Sequence, residues 1–140
     1  MNDLLNARRL LDEGGYTCVI CRGDEVHTAT ARGVKPLVNW LDNGLDVADG
    51  CAADKVVGKA TAFLYCLLGV RAVYAHIMSK GAAEVLRNAG ITAEYGRLVP
   101  GIINRTGTGP CPFEAAVTEI SAPELAMAAI RRKMKEMNIV

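Results

Sequence analysis

The sequence predicts an α/β domain of three layers, with helices on both faces of a mixed sheet of four to five strands. Three observations predict it. Strand-like runs alternate with helical periodicities through the second half, which implies parallel strands joined by crossover helices. Two strand-like runs near the amino end flank a glycine turn, which implies an antiparallel hairpin and makes the sheet mixed. The 140 residues are 51% apolar with a formal net charge of +1, enough for one domain spanning the whole chain to bury a core without disulfides or metals.

Each element can be justified in order. From Asp3 to Glu13, Leu4, Leu5, Ala7, Leu10 and Leu11 recur at helical spacing, and Gly14-Gly15 stops the pattern. "YTCVIC" and "EVHTATA" then flank "RGD", which reads as a hairpin turn rather than an adhesion motif. "VKPLVNWLDNG" carries Pro36 near its start and Asn43-Gly44 at its end, the pattern of a short helix. "CAADKVVGKATAFLYCLLG", apolar on nearly every face and free of proline, reads as a central buried helix opening at Cys51 and closed by Gly69. "VRAVYAHIMS" reads as a strand, "KGAAEVLRNAG" as a helix closed by Gly90, and "ITAEYGRLV" as a second parallel strand ended by Pro100. "PFEAAVTEI" is a short helix, and "APELAMAAIRRKMKEM" a last one, with Ser121 as its cap and basic residues in its final turns.

Several classes are excluded. No basic excess marks a nucleic-acid binder. The longest uncharged apolar run, "ATAFLYCLLGV" between Lys59 and Arg71, is too short to cross a bilayer. The amino end has charged residues and no apolar signal core, so a cytoplasmic protein is expected. Five cysteines lie mostly within apolar runs, which fits reduced, buried thiols. Cys18 and Cys21 have a C-x-x-C spacing, but on a strand residues three apart face opposite sides, so they read as core. His27 and His76 fall on separate strands and define no metal site.

In such a sheet a pocket is expected beyond the carboxyl ends of the parallel strands. Three segments are expected to converge there: Cys51, Asp54 and Lys55; Ser79 and Lys80; and the loop "NRTGTGPCPFE" with Asn104, Arg105, Thr106, Cys111 and Glu114. Arg105, Lys55 and Lys80 suit an anion such as phosphate. Lys55 and Lys59 lie one helical turn apart on this reading, with Asp54 to neutralise them. Cys111 has two readings. It is the cap of a helix with Pro112 first and Glu114 third, whose carboxylate reaches back to the cap N–H, or it is also a site thiol activated by that helix start.

The order of helix, hairpin, buried helix, strand, helix and parallel strand, opening its buried helix with "CAADK", is similar to the cytidine deaminase-like fold. "ADKVVGKA" and "NRTGTGPCPFE" more closely resemble a small prokaryotic family of unknown function assigned to that superfamily. The resemblance implies a zinc site of the form H-x-E at one helix start and P-C-x-x-C at the next. Here the first corresponds to Ala52-Ala53-Asp54 and the second to Ser79-Lys80-Gly81-Ala82, without the histidine or the thiols. "PCPFE" falls one strand later.

The expected function is therefore that of a deaminase-like protein without the zinc site, binding a small anionic or nucleotide-like ligand and needing no cofactor. Asp54, Cys111 and Glu114 are the catalytic candidates. Cys51, Lys55, Ser79, Lys80, Asn104, Arg105 and Thr106 are the ligand-binding ones. The alternatives are an enzyme with Cys111 as nucleophile or metal ligand and Asp54 or Glu114 moving protons, and a non-catalytic interaction protein. The latter would be a homodimer through Leu125, Ala126, Ala129, Ile130 and Met134.

Overall fold

A computed structural model of the chain describes residues 2–31, 33–103, 107 and 109–139. The order is α1 (Asp3–Gly14), β1 (Cys18–Arg22), β2 (Glu25–Ala29), α2 (Lys35–Asp42), β3 (Cys51–Val57), α3 (Lys59–Leu68), β4 (Ala72–Ser79), α4 (Lys80–Asn88), β5 (Thr92–Val99), α5 (Pro112–Ala116) and α6 (Pro123–Glu136). The five strands form one mixed sheet in the order β2-β1-β3-β4-β5. β1 runs antiparallel to β2 and to β3, whereas β3, β4 and β5 are parallel.

One element differs from the sequence reading. The stretch read as one long buried helix divides into strand β3 and helix α3, so Cys51, Asp54 and Lys55 lie on a strand and not at a helix start. The physical reason is burial on both faces. A strand between two layers is apolar on each side, so it loses alternation and reads like a buried helix. Val56-Val57 and Gly58 were the local signals for the division: β-branched residues favour the pleat, and the glycine turns the chain into α3. The rest of α3 follows from its sequence. Phe63, Leu64 and Tyr65 are all fully buried, each contributing about 1.5–3 kcal/mol of transfer free energy, and Gly69 ends the helix at φ 76°.

The two faces of the sheet are covered unequally. Among the described residues α1 covers one of them, lying on β1, β3 and β4 around Ala7, Leu11, Val19, Cys21 and Ala53. On the other face α2, α3 and α4 enclose the large core, with α5 and α6 packed on α3. Cys18 belongs to one core and Cys21 to the other, as their strand spacing requires. Ala126, Ile130 and Met134 of α6 are buried within the large core, and only Leu125 of that stripe stays well exposed. The apolar face read as a dimer surface thus closes the domain itself. Ser121 does not cap α6, whose cap position is Ala122.

Alternation breaks once inside β3. Ala52 and Val57 both face the large core although they are an odd number of residues apart. The break falls at Asp54 to Val56, where the Val56 N–H donates to the Asp54 Oδ1 at 3.2 Å. Such irregularities re-aim side chains, and here the re-aimed segment borders a cleft.

Candidate functional site

Asp54 points from β3 toward α3 and is only 8% exposed. The Tyr65 hydroxyl donates to its Oδ2 at 2.7 Å. Cys18 lies directly opposite on β1. Among the described residues no cation sits against this carboxyl. Burial therefore pushes it up to about 7, against the opposing pull of the Tyr65 hydroxyl and of the Val56 and Lys55 amides. Burial also drives the Cys18 thiol up, with the Asp54 charge adding to it, and raises the Tyr65 hydroxyl well above the ordinary tyrosine value. A carboxyl that titrates near neutrality can accept or give a proton there, or accept strong hydrogen bonds from a ligand.

This cluster borders a cleft of about 420 Å³ lined also by Thr17, Thr30, Lys55 and Val56. The walls come from different elements. The Thr17 hydroxyl has one proton to share between the carbonyls of Ala29 at 3.0 Å and Ala31 at 2.7 Å, which ties the end of β2 across the start of β1. The Lys55 N–H donates to the Thr17 carbonyl at 3.1 Å and closes the β3 side, leaving its side chain exposed. The cleft lies beside the carboxyl half of β3, where the sheet changes from antiparallel to parallel pairing.

Glu114 makes a second cluster. The Lys59 N–H donates to its Oε2 at 2.9 Å, so a residue of α5 caps the start of α3 from 55 positions away. Burial raises the Glu114 carboxyl, while the amides of Lys59 and Ala60 and the Lys59 charge lower it. The Lys59 ammonium donates to the Thr118 carbonyl at 2.9 Å and holds the same segment from the other side. Gly58 leaves the necessary room: a Cβ there would stand 1.5 Å from the Glu114 Oε1. Glu114 thus caps α3 rather than its own helix, and Cys111 makes no side-chain cap bond.

Among the described residues, the three segments expected to converge are brought together only in part. Asp54 and Lys55 share the cleft. Ser79 is buried and accepts from the Ala82 N–H at 3.1 Å as the cap of α4, and Lys80 is exposed. Cys51 lies at the opposite end of β3, paired with Cys21. Cys111 is half-buried before α5, its N–H donating to Ile102 at 3.0 Å. Asn104, Arg105 and Thr106 lie outside the described residues.

The donors present do not fit the zinc site that the deaminase resemblance implies. The helix starts carry Gly58-Lys59-Ala60-Thr61 on α3 and Ser79-Lys80-Gly81-Ala82 on α4, with no imidazole or thiolate. Cys51, Cys111 and Asp54 stand on separate parts of the fold, and the Glu114 carboxylate is already taken by backbone N–H groups.

The sequence profile described as TM1506, domain of unknown function (DUF1893), matches residues 6–134. The chain belongs to the DUF1893 family. A crystal structure of a DUF1893 family protein, TM1506 from Thermotoga maritima, superposes with a TM-score of 0.86 over 95% of this chain and 91% of that one, at 24% identity. At that identity the likeness is one of fold. No curated protein matches the chain.

For this DUF1893 chain, sequence reasoning singled out Asp54 and Lys55 but missed Thr17, Cys18, Thr30 and Tyr65. One signal was present. Tyr65 stands in the apolar run "ATAFLYCLL", and a buried tyrosine needs a partner for its O–H. A lone aspartate in another apolar run was the available acceptor.

Proposed function

We propose that this protein binds a small nucleotide-like ligand in the cleft over Asp54, on a cytidine deaminase-like scaffold that does not use the zinc site. One observation carries the reading: a buried carboxyl opens onto a cleft of about 420 Å³, and buried polar groups in concave sites are there to fix a ligand's orientation. Hydroxyls at Thr17 and Thr30 and the exposed ammonium of Lys55 surround it. A base or similar head group would lie inward over Asp54, and an anionic substituent outward toward Lys55. The scaffold reading is supported by the opening helix and hairpin and by the alternating β and α elements of the second half, although "CAADK" lies on β3 and not at the start of a buried helix.

A thermal-shift and calorimetric screen of nucleosides and their phosphates tests the reading. Binding by at least one is expected, weakened by Asp54→Asn, with Lys55→Gln weakening the phosphates more than the nucleosides. If no nucleoside or nucleotide binds at millimolar concentration, or if both variants bind as wild type does, the cleft does not hold a nucleotide-like ligand.

A further inference from the structure

The hydrogen bonds already made to Asp54 say what the ligand must offer. The Tyr65 O–H occupies one acceptor position of Oδ2 at 2.7 Å, and the Val56 N–H one of Oδ1 at 3.2 Å. The Lys55 N–H donates to the Thr17 carbonyl at 3.1 Å and also lies near enough to Asp54 to favour its charged form. A carboxylate has about four acceptor positions over its two oxygens. Each Asp54 oxygen therefore keeps acceptor capacity, on a residue that borders the cleft. Two acceptors side by side on one planar group match two parallel N–H donors, the fork arrangement seen between guanidinium and carboxylate.

The geometry points to a ligand that presents a double N–H donor edge to Asp54, either an amidinium or guanidinium group or the ring N–H and amino edge of a 2-amino-6-oxopurine. The inference rests on the reading of the cleft as a ligand site and narrows its ligand class. The Tyr65 hydroxyl and the Val56 N–H fix the carboxyl in place, and the donor edge would use the acceptor positions they leave. Thr30 offers a hydroxyl for the remainder of the molecule, Thr17 only the acceptor side of its own, and Lys55 stands at the edge where a phosphate would lie. An edge with one donor and one acceptor sets its acceptor against a carboxylate oxygen and loses one bond of the pair.

Minimal pairs of probes test this directly by calorimetry above about pH 8, where the carboxyl, pushed up to about 7 by burial, is ionised and both its oxygens accept. Guanosine against inosine differs by the amino donor alone, and benzamidine against benzamide exchanges a double donor for a donor and an acceptor. On wild type at least a tenfold tighter binding of guanosine over inosine, or of benzamidine over benzamide, is expected. Whichever pair shows the preference distinguishes the purine source from the amidinium one. Asp54→Asn, which offers one acceptor and one donor, is expected to reduce that preference to less than threefold; urea unfolding of the variant checks that it folds. Equal binding of both members of both pairs, a preference for inosine or benzamide, or a preference that survives Asp54→Asn overturns this inference while leaving the cleft a binding site. Binding of none of the four probes overturns it as well, and if the wider screen of nucleosides and nucleotides also fails, the reading of the cleft falls with it.

Discussion

Asp54 ties the candidate site to the stability of the whole protein. Its carboxyl is pushed by burial from 3.8 to about 7 in the folded chain, so the folded state holds the proton more tightly than the unfolded one does. The sign follows: stability from this group is fully present below the unfolded value near pH 4 and is lost as pH rises through 7. At about 1.4 kcal/mol for each tenfold in proton affinity, the loss is on the order of 4 kcal/mol over that interval. Urea unfolding at pH 5, 6 and 7 is therefore expected to show a component that falls with pH in wild type and is absent in Asp54→Asn. An identical slope in both proteins would mean that Asp54 is ionised throughout. Tyr65→Phe removes the donor to Oδ2 and leaves a buried carboxyl short of a partner, at a cost of about 1–3 kcal/mol. The variant is also expected to titrate Asp54 at higher pH, because the hydroxyl is the strongest opponent of the burial effect. Proton-detected titration of the carboxyl carbon measures this, and an unmoved midpoint would show that the hydroxyl does not stabilise the charged form.

At the scale of elements, the start of α3 depends on a residue far along the chain. Gly58 offers no side-chain cap, and the helix instead receives the Glu114 carboxylate at Lys59. Glu114→Ala is expected to cost about 1–2 kcal/mol, the usual value of a lost cap. Gly58→Ala should cost at least as much, since the new Cβ would overlap the carboxylate. The two act on one interaction, so the double variant is expected to be little worse than the worse single one; full additivity in a double-mutant cycle would break the link. Most elements were legible because their ends are marked: Gly15 and Gly90 close helices, Pro100 ends β5, and the turn between β1 and β2 carries Gly23. β3 was not legible, because burial on both faces erases the alternation that identifies a strand. The site was half legible for a related reason. Asp54 was conspicuous as a carboxylate in an apolar run, but its partners Cys18 and Tyr65 come from elements whose pairing with β3 only the fold reveals. Glu114 was visible as a capping residue, whereas the helix it caps was not, since that contact spans 55 positions.

At the scale of the molecule the two layers are held by cores of different size. α1 contributes Ala7 and Leu11 to a small cluster with Val19, Cys21 and Ala53, while the other face carries the large core under α2, α3 and α4. Regions with fewer buried apolar contacts open at lower free energy, so α1 is expected to detach before the rest unfolds. Three buried cysteines report on this, each no more than 2% exposed. Cys21 lies under α1, and Cys51, directly opposite it on β3, shares its face. Cys18 faces the large core. Labelling with a thiol reagent in native buffer, read site by site by mass spectrometry, should modify the half-buried Cys66 and Cys111 first. Burial holds the Cys66 thiol up at about 11 and slows it. Cys21 and Cys51 should follow together, and Cys18, which borders the cleft and faces away from α1, should react at a rate of its own. Leu11→Ala, which removes a fully packed side chain from the small core, should speed Cys21 and Cys51 several-fold without a matching change at Cys18. If all three buried thiols react at one rate in both proteins, α1 and the large core unfold as a single unit, and the cleft at the start of β1 cannot open by release of that helix alone.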